Sequence, residues 1–320
     1  MNKKILIPCA ILLLVGMYWL MFNGSGQVVT LTILHLNDGE SQLLHAGKGI
    51  EDFGGAARCV TLVKNLRSAA ATDVVLTLSS GDNFLAGPEF KASLAAYNPA
   101  LGGVNTYYDA KALDAIGYDA ILLGNHDFDF GPALLADFVS TGFSNTFPRY
   151  LSANIDFSGE PALQALVERG RIARRIIVEK NGHTFGIIGA TTPNLPFISR
   201  PANAVVDADL VTVVQNEINA LTEGGVNKII FVSHLQDLAE DTALIARLSG
   251  VDIAVTGGSN DVLSNPGDLL LPGDTPRGAY PMIVKDLSGR PVSIVTTGGE
   301  YKYVGRLMVD FDKTTGEITR

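Results

Sequence analysis

Five apolar runs in this chain each stop at a residue able to hold a cation or move a proton. Val28 to Leu36 ends at Asn37-Asp38, Val74 to Leu78 at Ser80-Gly81-Asp82, and Tyr118 to Leu123 at Gly124-Asn125-His126-Asp127. Further on, Ile229 to Val232 ends at Ser233-His234, and Val251 to Val255 at Thr256-Gly257-Gly258-Ser259-Asn260. Short runs of Val, Ile and Leu closed by turn residues are the mark of buried strands. Between them, Cys59 to Ala71, Thr106 to Ile116, Ala208 to Leu221 and Leu238 to Leu248 carry apolar residues at helical spacing. Alternating strands and helices predict an α/β fold with helices flanking central sheets. Such folds gather their sites at the carboxyl ends of the strands. The chain holds only five histidines, so ligand-type residues at five strand ends constrain it strongly.

Each residue has a plainer use as well. Gly, Asn and Asp favour turns, so Gly124 to Asp127 taken alone reads equally as a turn after a strand. Asp38 and Asp82 could cap helices, and His234 could be a satisfied core histidine. Glu40 and Asn260 have ordinary readings as a solvated carboxylate and a turn residue. His35 lies within a strand and reads as structural, and His183 sits in the Asn181-Gly182 turn of a predicted hairpin. His45 follows Glu40 closely enough to serve as a substitute ligand.

The remaining expectations concern organisation. Residues from about Glu89 to Gly103 read as a surface loop, and Tyr150 to Ile155 as one strand. Asp207 is the expected cap of the helix that follows it. A long loop carries Pro266, Pro272, Pro276 and Pro281 before two closing strands. No internal repeat appears, and a single domain over residues 27–320 is expected.

Lys3 and Lys4 precede an apolar segment from Ile5 to Phe22 and a Gly24-Ser25-Gly26 spacer, which marks residues 1–26 as an export signal, cleaved or retained as an anchor. The body is therefore expected outside the cytoplasm, periplasmic or extracellular, with possible membrane attachment through residues 5–22. Cys59 is the only cysteine of the body, so no internal disulfide can form there. The net charge of −9 and the lack of a basic cluster beyond the amino terminus exclude a nucleic acid polymer as surface partner. A small phosphate-bearing substrate fits if bound metal offsets the local negative charge.

In order and spacing, Asp38-Gly39-Glu40, Gly81-Asp82, Gly124-Asn125-His126-Asp127, His234 and Gly257-Gly258-Ser259-Asn260 resemble the five blocks of the dimetal metallophosphoesterases. More closely, the chain resembles the amino-terminal, calcineurin-like catalytic domain of the 5'-nucleotidase family. Leu34-His35-Leu36-Asn37-Asp38, Gly54-Gly55-Ala56-Ala57-Arg58, Ser152-Ala153-Asn154 and Tyr303-Val304-Gly305-Arg306-Leu307 add to the likeness, which spans about residues 28 to 312. It implies a four-layer αββα sandwich and two divalent metal ions. Asp82 would bridge them, with Asp38, Glu40 and Asn260 on one and Asn125, His234 and the residue at position 258 on the other. A water between the two cations would attack phosphorus. His126 would stabilise the phosphoryl oxygen or protonate the leaving group, with Asp127 holding its ring.

Two blocks depart from the family. Glu40 stands where a histidine is usual, and Gly258 where another histidine ligand is usual. The oxygen-rich first site suits Ca, Mg or Mn over Zn. The second is left short of a ligand. A bacterial alkaline-phosphatase-like branch shares similar Asp-x-Glu and Gly-Gly-Ser blocks. The expected activity is exported, metal-dependent hydrolysis of nucleotides or related phosphate monoesters. The alternative is a non-catalytic module that binds a cation or ligand through a degenerate site. The family's carboxy-terminal nucleotide-recognition domain is expected to have no counterpart in this sequence.

Overall fold

In the computed structural model, which describes residues 28–96, 107–141 and 148–320, the predicted runs assemble into two six-stranded sheets. The first comprises β1 (Val28–Leu36), β2 (Val74–Ser79), β3 (Ala120–Leu122), β4 (Arg149–Leu151), β6 (Ile172–Ala173) and β14 (Gly305–Asp312), in the order β14-β1-β2-β3-β4-β6. Between β4 and β6 in the chain, β5 (Ile155–Asp156) leaves to pair with β9 (Val205–Val206). The second sheet comprises β7 (Arg175–Lys180), β8 (His183–Thr191), β10 (Ile229–His234), β11 (Ile253–Gly257), β12 (Met282–Lys285) and β13 (Pro291–Val295), in the order β12-β13-β11-β10-β8-β7. The inner strands of both sheets run parallel, whereas β14, β12 and β7 pair antiparallel at or near the edges.

Side-chain alternation explains why the sheets stack. On β1, Val29, Leu31 and Ile33 face a core shared with Leu76, Leu78, Phe185, Ile187, Ile230, Val232, Ile253 and Val255, drawn from both sheets. The opposite face of β1 offers Leu34 and Leu36 to a second core, with Val63 of the helix Ala56–Ala69 and Leu113 of the helix Tyr108–Ile116. On β10 the same period sends Phe231 outward against Val214 and Ile218 of the helix Leu210–Glu223. Every inner strand is thus covered on both sides, the arrangement parallel strands require. The layers run helix, sheet, sheet, helix, as expected. Truncating a residue of the shared core such as Leu76, which is fully buried, is expected to cost about 2–5 kcal/mol.

Several local expectations change. Pro88–Ala96 is a helix rather than a loop, with Pro88 in its first turn and Phe90 buried against Phe84; the rest of the expected loop lies outside the described residues. Tyr150 to Ile155 is not one strand, because Asn154 turns its side chain onto Thr191 N and O between β4 and β5. Asp209, not Asp207, caps the helix Leu210–Glu223 by accepting from Thr212 N, while Asp207 accepts from Asp209 N. The helix Pro161–Glu168 and strand β12 are additional to the elements expected from the sequence. The β7–β8 hairpin turns at Asn181 and Gly182, both at positive φ, as Asn-Gly predicts. The export segment, residues 1–26, lies outside the described residues, and among those described no helix is long and apolar enough to cross a membrane.

Candidate metal centre and active site

The loops that leave β1 and β2 are tied together by two backbone hydrogen bonds. Asp38 N donates to Gly81 O and Glu40 N to Asp82 O, both at 3.1 Å. This pairing brings the carboxylates of Asp38, Glu40 and Asp82 to one place. The backbone is strained there: Asp38, Glu40 and Asp82 sit at φ of 49°, 47° and 50°, in the left-handed region. Non-glycine residues accept that cost of order 1–3 kcal/mol chiefly where a site dictates their position. Asp38 accepts from Asn37 Nδ2 and from Gly258 N. Asn37 is itself clamped to Thr297 O and to the Thr297 hydroxyl.

His234, fully buried at the end of β10, faces this cluster from the second sheet. Its Nδ1 lies 2.7 Å from Ser80 O, a carbonyl that can only accept, so Nδ1 carries a proton. Its Nε2 lies 3.0 Å from Asp82 Oδ2, 3.0 Å from Asn125 Oδ1 and 3.9 Å from Asp38 Oδ1. All three neighbours of Nε2 are oxygens. Either an imidazolium proton or a cation must sit among them. Burial works against the charged ring, but the Asp82 and Asp38 carboxylates outweigh it and hold His234 protonated up to about 10. Against the cost of its own burial, the Asp82 carboxyl is held low by the same histidine. Burial pushes the Asp38 carboxyl up, His234 notwithstanding.

Asp82 belongs to two groups. With Asp38 and His234 it forms one set of donor atoms lying within 4.8 Å of each other, and with Glu40 and His126 a second. Glu40 is half-buried, and burial together with the Asp38 and Asp82 charges lifts its carboxyl to about 7. The donor set fits divalent cations: converging buried carboxylates, an amide oxygen and an imidazole whose lone pair is directed by its own Nδ1 hydrogen bond. Asp38 therefore stands with His234 as well as beside Glu40. Asn260 is exposed beyond β11 and hydrogen-bonds to none of these residues. Its neighbours Ser259 and Asp261 bond each other, and Asp261 pairs with Arg277.

Gly124 follows the end of β3, and the next residues wind a single 3₁₀ turn, His126–Phe128. A side chain cannot be added at Gly124, since a Cβ there would lie 2.2 Å from Asp82 Oδ1 and 2.4 Å from Asp82 N. The turn points its residues to different sides. Asp127 goes inward, fully buried, and accepts from Gly124 N at 2.8 Å, Asn83 N at 3.1 Å and Asn83 Nδ2 at 3.0 Å. Burial and the nearby Asp82 charge push its carboxyl up to about 7. Asp127 therefore holds the two loops together and does not hold the His126 ring, contrary to expectation. That task falls to Asp129, whose Oδ2 lies 2.7 Å from His126 Nδ1. The Asp129 hydrogen bond raises the His126 imidazole to about 9, against partial burial. His126 N also donates to Asp82 Oδ1 at 2.7 Å, fixing the proton-bearing residue to the shared carboxylate. Asp129 went unread in the sequence, although a carboxylate three residues after a histidine on a helical turn is the available signal.

Asp129 also forms the wall of a cleft of about 490 Å³ with Ala86, Phe130, Phe197, Ile198, Ser199 and Arg200. Ser199 Oγ donates to Asp129 Oδ1 at 2.9 Å, so this wall is coupled to the His126 ring. The other histidines are elsewhere. His45 turns its Nδ1 onto Gly47 N, His35 is buried against Tyr280, and His183 stays in the hairpin turn.

Two sheets between helices, with an Asp, Asn and His cluster at the strand ends, form a fold that solved phosphoesterases share. The calcineurin-like phosphoesterase YfkN of Bacillus subtilis shares the fold at a TM-score of 0.65 and 20% identity, over 91% of this chain and 88% of that one. Over about nine-tenths of its length the chain is similar to 5'-nucleotidases. It is 31% identical to the 5'-nucleotidase of Diplobatis ommata over 93% of this chain and 48% of the relative. A 5'-nucleotidase precursor from Thermus thermophilus superimposes at a TM-score of 0.75 with 34% identity, over 91% of this chain and 53% of that one. The chain spans about half the length of the curated relatives it matches. No family model matches it.

Proposed function

We propose that this chain is an exported, metal-dependent phosphoesterase acting on phosphate monoesters, with nucleotides as the favoured substrate class. The observation that carries the proposal is that Asp82 is shared between two sets of donor atoms while the same carboxylate fixes His126. Asp38, Glu40 and Asp82 would hold one divalent cation, and Asp82, Asn125 and His234 the other, with Asp38 within reach of His234 as well and His126 beside Glu40. Asn260 is the farther candidate for the first. Such cations would supply a nucleophilic water at neutral pH and offset the charge of the phosphoryl group.

The chain's own residues do the rest. His126, pinned at Nδ1 by Asp129, presents Nε2–H to the phosphoryl oxygen or to the leaving oxygen. A leaving group beyond His126 has room in the cleft between Phe130, Phe197 and Arg200. There an exposed ring and a guanidinium suit an aromatic, polar group such as a nucleoside. The likeness to proteins named 5'-nucleotidase supports the nucleotide reading, and the apolar stretch from Ile5 to Phe22 supports export. A pure binding module has no use for a histidine held protonated beside the cation site, which favours the enzyme.

The test is phosphate release by the full chain, shown to be folded, with Mn, Mg, Ca or Zn added singly. Substrates are nucleoside 5'-monophosphates, an aryl phosphate monoester and the matching diester. Turnover of the monoesters with at least one ion is expected. No turnover of any monoester with any ion would leave only the binding-module reading.

A further inference from the structure

Gly258 stands where a ligand histidine would complete the second metal set, and the space it leaves is filled. A Cβ built on Gly258 would lie 3.0 Å from Gln236 Nε2, 2.9 Å from Gln236 N and 3.0 Å from His234 Cδ2. The Gln236 side chain thus occupies the room into which a residue at position 258 would project, against the His234 ring. It is also aimed at the site, since its terminal amide lies 2.5 Å from Asn125 Oδ1, the atom that faces His234 Nε2 at 3.0 Å. The backbone at Gln236 is strained too, at φ 78°. A glutamine gains nothing from that conformation by itself. The same left-handed strain marks Asp38, Glu40 and Asp82.

We propose that Gln236 is the missing ligand of the second cation, binding through Oε1 in place of the absent histidine. The proposal rests on the dimetal reading above. The amide presents its NH₂ end to Asn125 Oδ1. A half-turn about the last side-chain torsion exchanges Nε2 for Oε1 and gives a neutral oxygen donor beside Asn125 and His234. The second set then becomes Asp82, Asn125, His234 and Gln236. Three oxygens and one imidazole suit Mn or Mg better than a set with two histidines would.

The experiment counts bound ions rather than turnover. Chelator-treated full chain, in wild-type, Gln236→Ala and Gln236→Glu forms, is titrated with Mn²⁺. Free ion is read by electron paramagnetic resonance, and folding of each form is checked by circular dichroism and melting temperature. The wild type should bind two equivalents. Gln236→Ala should keep one and bind the second about 10- to 100-fold more weakly, as expected on losing a ligand contact. Gln236→Glu should bind both at least as tightly as wild type, because a carboxylate keeps the oxygen and loses only the NH₂ donor. Unchanged binding of two ions by Gln236→Ala overturns the assignment. So does loss of the second ion in a folded Gln236→Glu, which would mean that the amide merely donates to Asn125. A wild type that binds fewer than two ions overturns this proposal together with the dimetal reading beneath it.

Discussion

Asp129 Oδ2 lies 2.7 Å from His126 Nδ1, while Asp127, the nearer residue in sequence, points away from that ring into the protein. The two carboxylates therefore have separable duties. Asp129→Ala should lower kcat by about 10- to 100-fold with little change in melting temperature, because it frees the ring of the proton donor. Asp127→Ala should cost about 1–3 kcal/mol of stability, because it strands Gly124 N and the Asn83 amide without an acceptor. Steady-state kinetics paired with chemical denaturation of both variants separates these outcomes.

Gly124 tolerates no side chain while Asp82 stays in place. Gly124→Ala should displace the shared carboxylate and abolish binding of both cations, since its Cβ would fall 2.2 Å from Asp82 Oδ1. Metal content of the purified variant, compared with wild type, is the check.

Cation binding should release protons. Without an ion, His234 is held protonated up to about 10 and Glu40 to about 7, and both must give up the proton to act as ligands. Apparent affinity should accordingly weaken as pH falls from about 8 to 6. Calorimetry in two buffers of different ionisation enthalpy should report net proton release at pH 7; its absence would mean that neither His234 nor Glu40 gives up its proton to the ion.

The acid limb of stability has an identifiable contributor outside the ligand set. His35 is buried with Nε2 2.7 Å from Tyr280 Oη, and burial lowers its pKa to about 3. Between that value and its ordinary 6.5, the unfolded chain binds a proton that the folded chain refuses. Its contribution is full above pH 6.5 and is lost as pH falls toward 3. His35→Gln should flatten the fall in unfolding free energy between about pH 6.5 and 4, measured by urea titration at several pH values.

The strand ends were legible because two simple periods, strand and helix, place them in the chain. Apolar runs stopping at Asp38, Asp82, Asn125 and His234 can converge only if the strands run parallel, and they do. What lay beyond reach was side-chain direction within the loops. In the 3₁₀ turn after β3, residues three apart share a face, so Asp129 returns to the side of His126 while Asp127 does not. Gln236 was equally hidden, since a positive φ on a glutamine leaves no trace in composition or spacing. The helix Pro88–Ala96 was masked by the Gly and Pro residues around it in the sequence, Gly87, Pro99, Gly102 and Gly103.

The central claim, that Asp82 organises an ion-dependent phosphatase, is tested most directly by comparing wild type with Asp82→Ala. Chelator-stripped forms of both are assayed for phosphate release from a nucleoside 5'-monophosphate before and after Mn²⁺ is added back. The account predicts that wild type is inactive when stripped and recovers on addition, and that Asp82→Ala stays inactive although folded. Turnover by Asp82→Ala comparable to wild type, or wild-type turnover indifferent to the ion, would contradict it.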